Sequence, residues 1–224
     1  MFEALLIRHG ESEANCRNIL VSHRGDPLLT AKGHEEANII AGVWREKQIV
    51  ALFASPLQRT QQTAQAFVRP GIEVQTDARL HEIALGRWDG LTIHDIETQD
   101  GERYRQWKLN PELGAPDAGE PLSYVSQRIY AFLDDVKSRY VSGLVVAVTH
   151  SDCLKAVALA ALDAPWHAAQ WIHMMNTAGI YLQWRDDHWQ MMEYPVMPLN
   201  LPALKGGDSG GTTVAASRVV RPWE

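Results

Sequence analysis

The chain has 224 residues, 46% of them hydrophobic and 21% charged, with 21 Lys and Arg against 27 Asp and Glu, for a formal net charge of −6. This is the balance of a globular protein with a substantial core, and without a long basic block it argues against nucleic acid as the main partner. No run approaches the roughly 18 to 20 consecutive apolar residues of a membrane span, and the start MFEALLIRHGESEA has no basic segment followed by a long apolar one, so a cytoplasmic protein that does not engage a membrane is expected.

The first predicted element is a strand, EALLI at 3–7, apolar without polar alternation and therefore buried on both faces. It ends abruptly in Arg8, His9 and Gly10, where the glycine is expected to let the backbone turn sharply and approach a ligand closely. Ala37, Ile40, Ala41 and Trp44 recur at helical spacing. A second buried strand, ALFA at 51–54, leads to a helix through Leu57, Ala64 and Phe67, with Ser55 as expected N-cap and Pro56 at the first helical position.

Residues 85–120 then interrupt the alternation with turn residues, charges and two tryptophans, and are read as an excursion over one end of the sheet. Leu122, Val125, Ile129, Phe132 and Val136 predict a long amphipathic helix opened by Pro121. GLVVAV at 143–148 is the third buried strand, followed by a helix through Leu154, Val157, Ala158 and Ala161, which Ser151 and Asp152 are expected to cap. GIYLQWR (179–185) and WQMMEY (189–194), joined by DDH, predict a β-hairpin. Strands alternating with helices and closing on a hairpin predict an α/β fold, a three-layer α/β/α sandwich with a mostly parallel, mixed central sheet. Residues 1–198 are read as one domain, and 199–224, rich in glycine and small polar residues, as a flexible tail.

Ligands of open α/β sheets bind at the carboxyl ends of the strands. Arg8 and His9 follow the first buried strand, Arg59 lies in the first turn after the second, and His150 follows the third. Two guanidiniums, two imidazoles and two helix starts directed at one place would make a cationic pocket in an acidic protein, suited to a phosphoryl group. An arginine in a first helical turn opposes the helix dipole unless an anion is near, which marks Arg59 as functional. His23, His34, His81, His94, His167, His173 and His188 are read as structural.

LLIRHGESEAN, SPLQRTQQTA, LHEIALGRWDG and VTHSD, in this order and at these spacings, resemble the histidine phosphatase superfamily, which includes the phosphoglycerate mutases, over residues 3 to about 185. The resemblance implies that His9 is the nucleophile that becomes a phosphohistidine, that Arg8, Arg59 and His150 hold the phosphoryl oxygens with Asn15 beside them, and that Glu82 donates the proton to the leaving group. A protonated His150 would share the stabilisation of the transferring charge. Read without it, Glu82 is a solvated surface carboxylate. The resemblance implies no metal and no organic cofactor. The substrate class is then a small phosphorylated metabolite.

Two departures from the family pattern stand out. GDPLLTAKG sets its proline one place early, which predicts a local difference in that loop, and Ser151 puts a side chain where the family often has none, as a helix cap or a substrate contact. LGRWDG resembles the phosphatase branch, with a phosphoglycerate mutase and a non-catalytic phospholigand binder as alternatives. A metal hydrolase lacks an HExxH or comparable spacing, and Cys16 and Cys153 form neither a disulfide framework nor a CxxC pair. Trp88, Tyr104 and Trp107 are either contacts to the leaving group or a small core beneath the excursion. Assembly stays open between a monomer and a homodimer.

Overall fold

In a computed structural model, which describes residues 1–196 and the last four of these by backbone alone, six strands form one sheet. They are β1 (Phe2–Arg8), β2 (Ile49–Ala54), β3 (Val74–Thr76), β4 (Gly143–Thr149), β5 (Gly179–Arg185) and β6 (His188–Val196), in the order β3-β2-β4-β1-β5-β6. β3, β2, β4 and β1 pair in parallel, while β5 pairs antiparallel to β1, and β6 to β5. The predicted mixed, mostly parallel α/β sheet is therefore present. β3 was not predicted, because three edge residues read as VQT carry no buried apolar run. The predicted tail, 199–224, lies outside the described residues.

The strands lack polar alternation because both faces are covered. Along β1, Ala4 and Leu6 pack on one face with α5 (Leu122–Arg139) and α6 (Ser151–Ala161), while Leu5 and Ile7 pack on the other with α2 (Ala31–Val43) and α3 (Gln58–Gln65). In α5, Val125, Ile129, Phe132 and Val136 form the buried stripe that its sequence spacing predicts.

Helix starts differ from expectation in three places. The Ser55 amide still donates to Val148 O at 3.0 Å, so the chain remains extended there and α3 begins later, with Leu57 as an N-cap that offers no side chain bond. The missing cap comes from far away: Asp26 Oδ1 accepts the Gln58 amide at 2.7 Å. Pro121 stands one residue ahead of α5, as its N-cap. His150 is the N-cap of α6, which makes Ser151 the first helical residue instead of the cap.

Residues 85–120 contain α4 (Ile93–Leu109), opened by a capping box between Thr92 and Asp95 and broken at Asp100, whose φ of −147° is not helical. Trp88, Tyr104 and Trp107 pack ring against ring, at centroid distances of 5.6 to 5.9 Å, as a small core beneath this segment.

Candidate active site

Strand register brings the two candidate histidines together. Arg8 pairs with Thr149 across the parallel β1–β4 ladder, so His9 and His150 leave neighbouring strands at one level, with ring centroids 5.3 Å apart. β2 flanks β4 on its other side, Ala54 beside Val148, and α3 carries Arg59 to the same edge.

Hydrogen bonds fix both imidazoles. His9 Nδ1 lies 2.7 Å from Gly10 O, which places the proton on Nδ1 and the lone pair on Nε2. Arg59 Nε donates to that Nε2 at 3.2 Å, and Arg59 Nη2 donates to Val21 O at 3.0 Å and to His150 Nδ1 at 3.2 Å. An arginine is always a donor, so His150 Nδ1 accepts and its Nε2–H donates to Ser55 Oγ at 3.0 Å. Burial, and after it the Arg59 charge, hold both histidines well below the usual imidazole pKa. Burial and the Arg59 donor on its Nδ1 therefore favour neutral His150 over the cation expected from sequence.

The arginines keep donors in reserve. Arg8 Nη1 donates to Met174 O at 2.5 Å, while among the described residues Arg8 Nε and Arg59 Nη1 are buried without a protein partner. Such orphaned donors are costly and call for an acceptor. Asn15 Oδ1 accepts from the amide and hydroxyl of Ser12, at 3.0 and 3.1 Å, and from Asn176 Nδ2 at 3.2 Å, which leaves the Asn15 amide nitrogen as the group available to a ligand.

Glu82 is 9% exposed, not the surface carboxylate its sequence context allows. One oxygen accepts the Ile83 amide at 2.9 Å. Burial, and then the Asp152 carboxylate, push its pKa up to about 7, so it carries a proton through the mildly acidic range.

A cavity of about 350 Å³ opens onto Arg8, His9, Asn15, Arg59 and Glu82. Its outer wall includes Tyr104, Trp107 and Lys108 from α4 and Ser151, Asp152 and Lys155 from α6. Tyr104 and Trp107 thus both pack on Trp88 and face the cavity, whereas Trp88 is core alone. His150 does not reach the wall: it is fully buried and meets the site through Arg59. His173, read as structural, lines the cavity.

Gly10 lets the chain after β1 pack closely on a neighbouring helix: a Cβ there would lie 2.4 Å from Gly33 O in α2, and one on Gly33 would lie 2.1 Å from Glu11 O. Sequence reasoning also missed Ser55, Thr63, whose hydroxyl accepts the Gly10 amide at 3.0 Å, and Asn176, which donates to His9 O at 3.0 Å. The contacts of Thr63 and Asn176 span 53 and 167 residues, and no local pattern announces them.

An enzyme handling phosphoryl groups is the class this arrangement defines: an α/β sheet whose parallel strand ends present an imidazole lone pair, unspent guanidinium donors and a protonated carboxyl to one small cavity. The chain belongs to the histidine phosphatase superfamily (branch 1), whose family model matches residues 4–196, and it is a phosphatase of that family. It is 30% identical over 165 residues to phosphoserine phosphatase 1 of Hydrogenobacter thermophilus, covering 72% of this chain and 77% of that one. It is 28% identical over 191 residues to a "probable phosphoglycerate mutase" of Yersinia enterocolitica, covering 84% of this chain and 88% of the relative. A solved phosphoserine phosphatase from Entamoeba histolytica, in complex with 3-phosphoglyceric acid, superimposes with a TM-score of 0.75 at 26% identity, covering 88% of this chain and 98% of that one.

Proposed function

We propose that the protein hydrolyses small phosphomonoesters through a phosphohistidine on His9. The observation that carries this reading is the state of that imidazole: its Nδ1 proton is tied to Gly10 O, and its Nε2 lone pair lies beside the Arg59 guanidinium in the cavity that Arg8 also lines. In the first half-reaction Nε2 attacks phosphorus, the bond to the leaving oxygen breaks, and Glu82 gives its proton to the departing alkoxide. In the second, Glu82 takes a proton from water, whose oxygen attacks phosphorus and breaks the P–N bond to release phosphate. Arg8, Arg59 and Asn15 hold the phosphoryl oxygens throughout, and Arg59 exchanges its contact with Nε2 for one with oxygen. No metal or organic cofactor enters either step. The cavity volume fits a small phosphorylated metabolite, and the relatives named for phosphoserine support that class.

The experiment is His9→Ala assayed on 4-nitrophenyl phosphate, together with a rapid quench of the unaltered enzyme. Loss of turnover in a folded variant and an acid-labile phosphoryl group on His9 are expected, and a variant that still turns over sinks the reading. The Yersinia relative's name favours a second reading, transfer of the same phosphoryl group back to phosphoglycerate. That reading requires a bisphosphorylated primer and isomerisation of 3-phosphoglycerate, which a hydrolase does not show.

A further inference from the structure

The segment that carries Glu82 is irregular beyond one turn of 3-10 helix, Ala78–Leu80, yet four consecutive carbonyls in it are each held by a side chain from another element. Arg128 Nη1 donates to Arg79 O at 2.5 Å, Thr149 Oγ1 to Leu80 O at 2.8 Å, the Cys153 thiol to His81 O at 2.9 Å, and Arg128 Nη2 to Glu82 O at 3.3 Å. Glu120 clamps the far side of Arg128 at 3.1 Å through both carboxylate oxygens, and one of those oxygens also accepts the Ala84 amide at 2.8 Å. The cradle thus draws on α5, on the last residue of β4 and on α6.

Satisfying buried carbonyls would be reason enough for partners of some kind. The identity of these partners adds more. Thr149 O accepts the His9 amide at 3.1 Å while its hydroxyl holds Leu80 O, so one residue ties the imidazole's backbone to the segment of the carboxyl. The Cys153 sulfur lies 3.9 Å from Glu82 Oε1 itself. Only a guanidinium can span two carbonyls and both oxygens of one carboxylate, since a lysine offers a point charge on a flexible stem.

We propose that Arg128, supported by Thr149 and Cys153, is a positioning residue that holds the Glu82 carboxyl at the leaving-group side of the cavity. The inference rests on Glu82 as the proton donor. Proton donation matters in proportion to the basicity of the leaving group, so its signature is the ratio of kcat/KM for 4-nitrophenyl phosphate, whose phenolate departs unaided, to kcat/KM for glycerol 2-phosphate. A residue that supports only the fold lowers both values alike.

The full chain is compared with Arg128→Lys, Thr149→Val, Glu82→Gln and the double variant Arg128→Lys/Glu82→Gln, each checked for folding by circular dichroism. Arg128→Lys is expected to raise the ratio at least about tenfold, within the range general acid catalysis supplies, and Glu82→Gln to raise it further. The double variant should match Glu82→Gln alone, because the effect of Arg128 passes through that carboxyl. Thr149→Val, which loses only a hydroxyl donor, carries the test if Arg128→Lys does not fold. A ratio within about twofold of the unaltered enzyme in both single cradle variants, with Glu82→Gln raised, overturns the positioning role alone. An unchanged ratio in Glu82→Gln overturns the donor assignment and this inference with it.

Discussion

Glu82 is the residue on which pH acts most directly. With its pKa pushed up to about 7, it is protonated below that value and can donate, so kcat/KM on alkyl phosphates falls as pH rises through about 7. Glu82→Gln removes this alkaline limb while leaving a slower, flatter profile. The same displacement has a sign for stability. A carboxyl raised in the folded state adds no penalty at acid pH, and its stabilising contribution is lost as pH rises from the ordinary carboxylate range through about 7. Urea unfolding should therefore find Glu82→Gln stabilised relative to the unaltered chain at pH 8, by up to about 3 kcal/mol, and much less so at pH 4.5. An equal difference at both pH values refutes the assignment. At this scale the strand ends made Arg8, His9, Arg59 and His150 readable as neighbours, while Asn15 and Glu82 were readable only through the family resemblance, and the state of none of them was legible. The neutrality of His150 and the burial of Glu82 arise from neighbours distant in the chain.

Among the elements, α3 shows how a helix can be foreseen and its start misplaced. Ser55-Pro56 is a sound local start signal, yet the β2–β4 ladder keeps Ser55 extended and its hydroxyl goes to His150, leaving Asp26 to cap α3 across a gap of 32 residues. The two side chains should therefore separate in their effects. Asp26→Ala is expected to lower stability by about 0.5–2 kcal/mol, the usual loss for a helix cap, as seen in thermal or urea unfolding. Ser55→Ala deprives the buried His150 Nε2–H of its acceptor, so it is expected to lower kcat/KM as well as stability, whereas Asp26→Ala lowers stability alone. If Asp26→Ala leaves stability unchanged, the capping scheme is wrong. The excursion hid its helix for a related reason: Asp100-Gly101 is a genuine break, and the charged residues on either side blurred the two helical pieces flanking it. Asp100 is half-buried at the break and accepts from Arg87, at 2.6 Å, and from the Trp88 ring nitrogen, at 3.1 Å. The buried strands and the stripe of α5 were legible because their periodicity is set by one packing surface each, whereas β3 was not, being a three-residue edge strand without a buried run.

As a whole, the molecule carries a net charge of −6 yet concentrates uncompensated guanidinium donors at one end of its sheet. Burial lowers the pKa of Arg8 and Arg59, which is the signature of charges held out of water without a full set of acceptors. Inorganic phosphate should bind the folded chain alone and raise its stability by about 2.7 kcal/mol at a hundred times its Kd, or several degrees of Tm. Chloride at equal ionic strength should not do so. A melting temperature indifferent to phosphate would remove the anion site from the account.

Arg8 and His9 stand where a parallel strand ends, whereas Tyr104, Trp107 and Lys108 reach the same cavity from the outlying segment at 85–120. The two regions are nevertheless tied together by Glu120, which belongs to the outlying segment yet clamps the arginine behind Glu82. A graft meant to redirect the enzyme to new alcohols should therefore replace only the helix Ile93–Leu109 and keep Glu120 in place, so that the outer wall changes while the support of the proton donor is inherited intact.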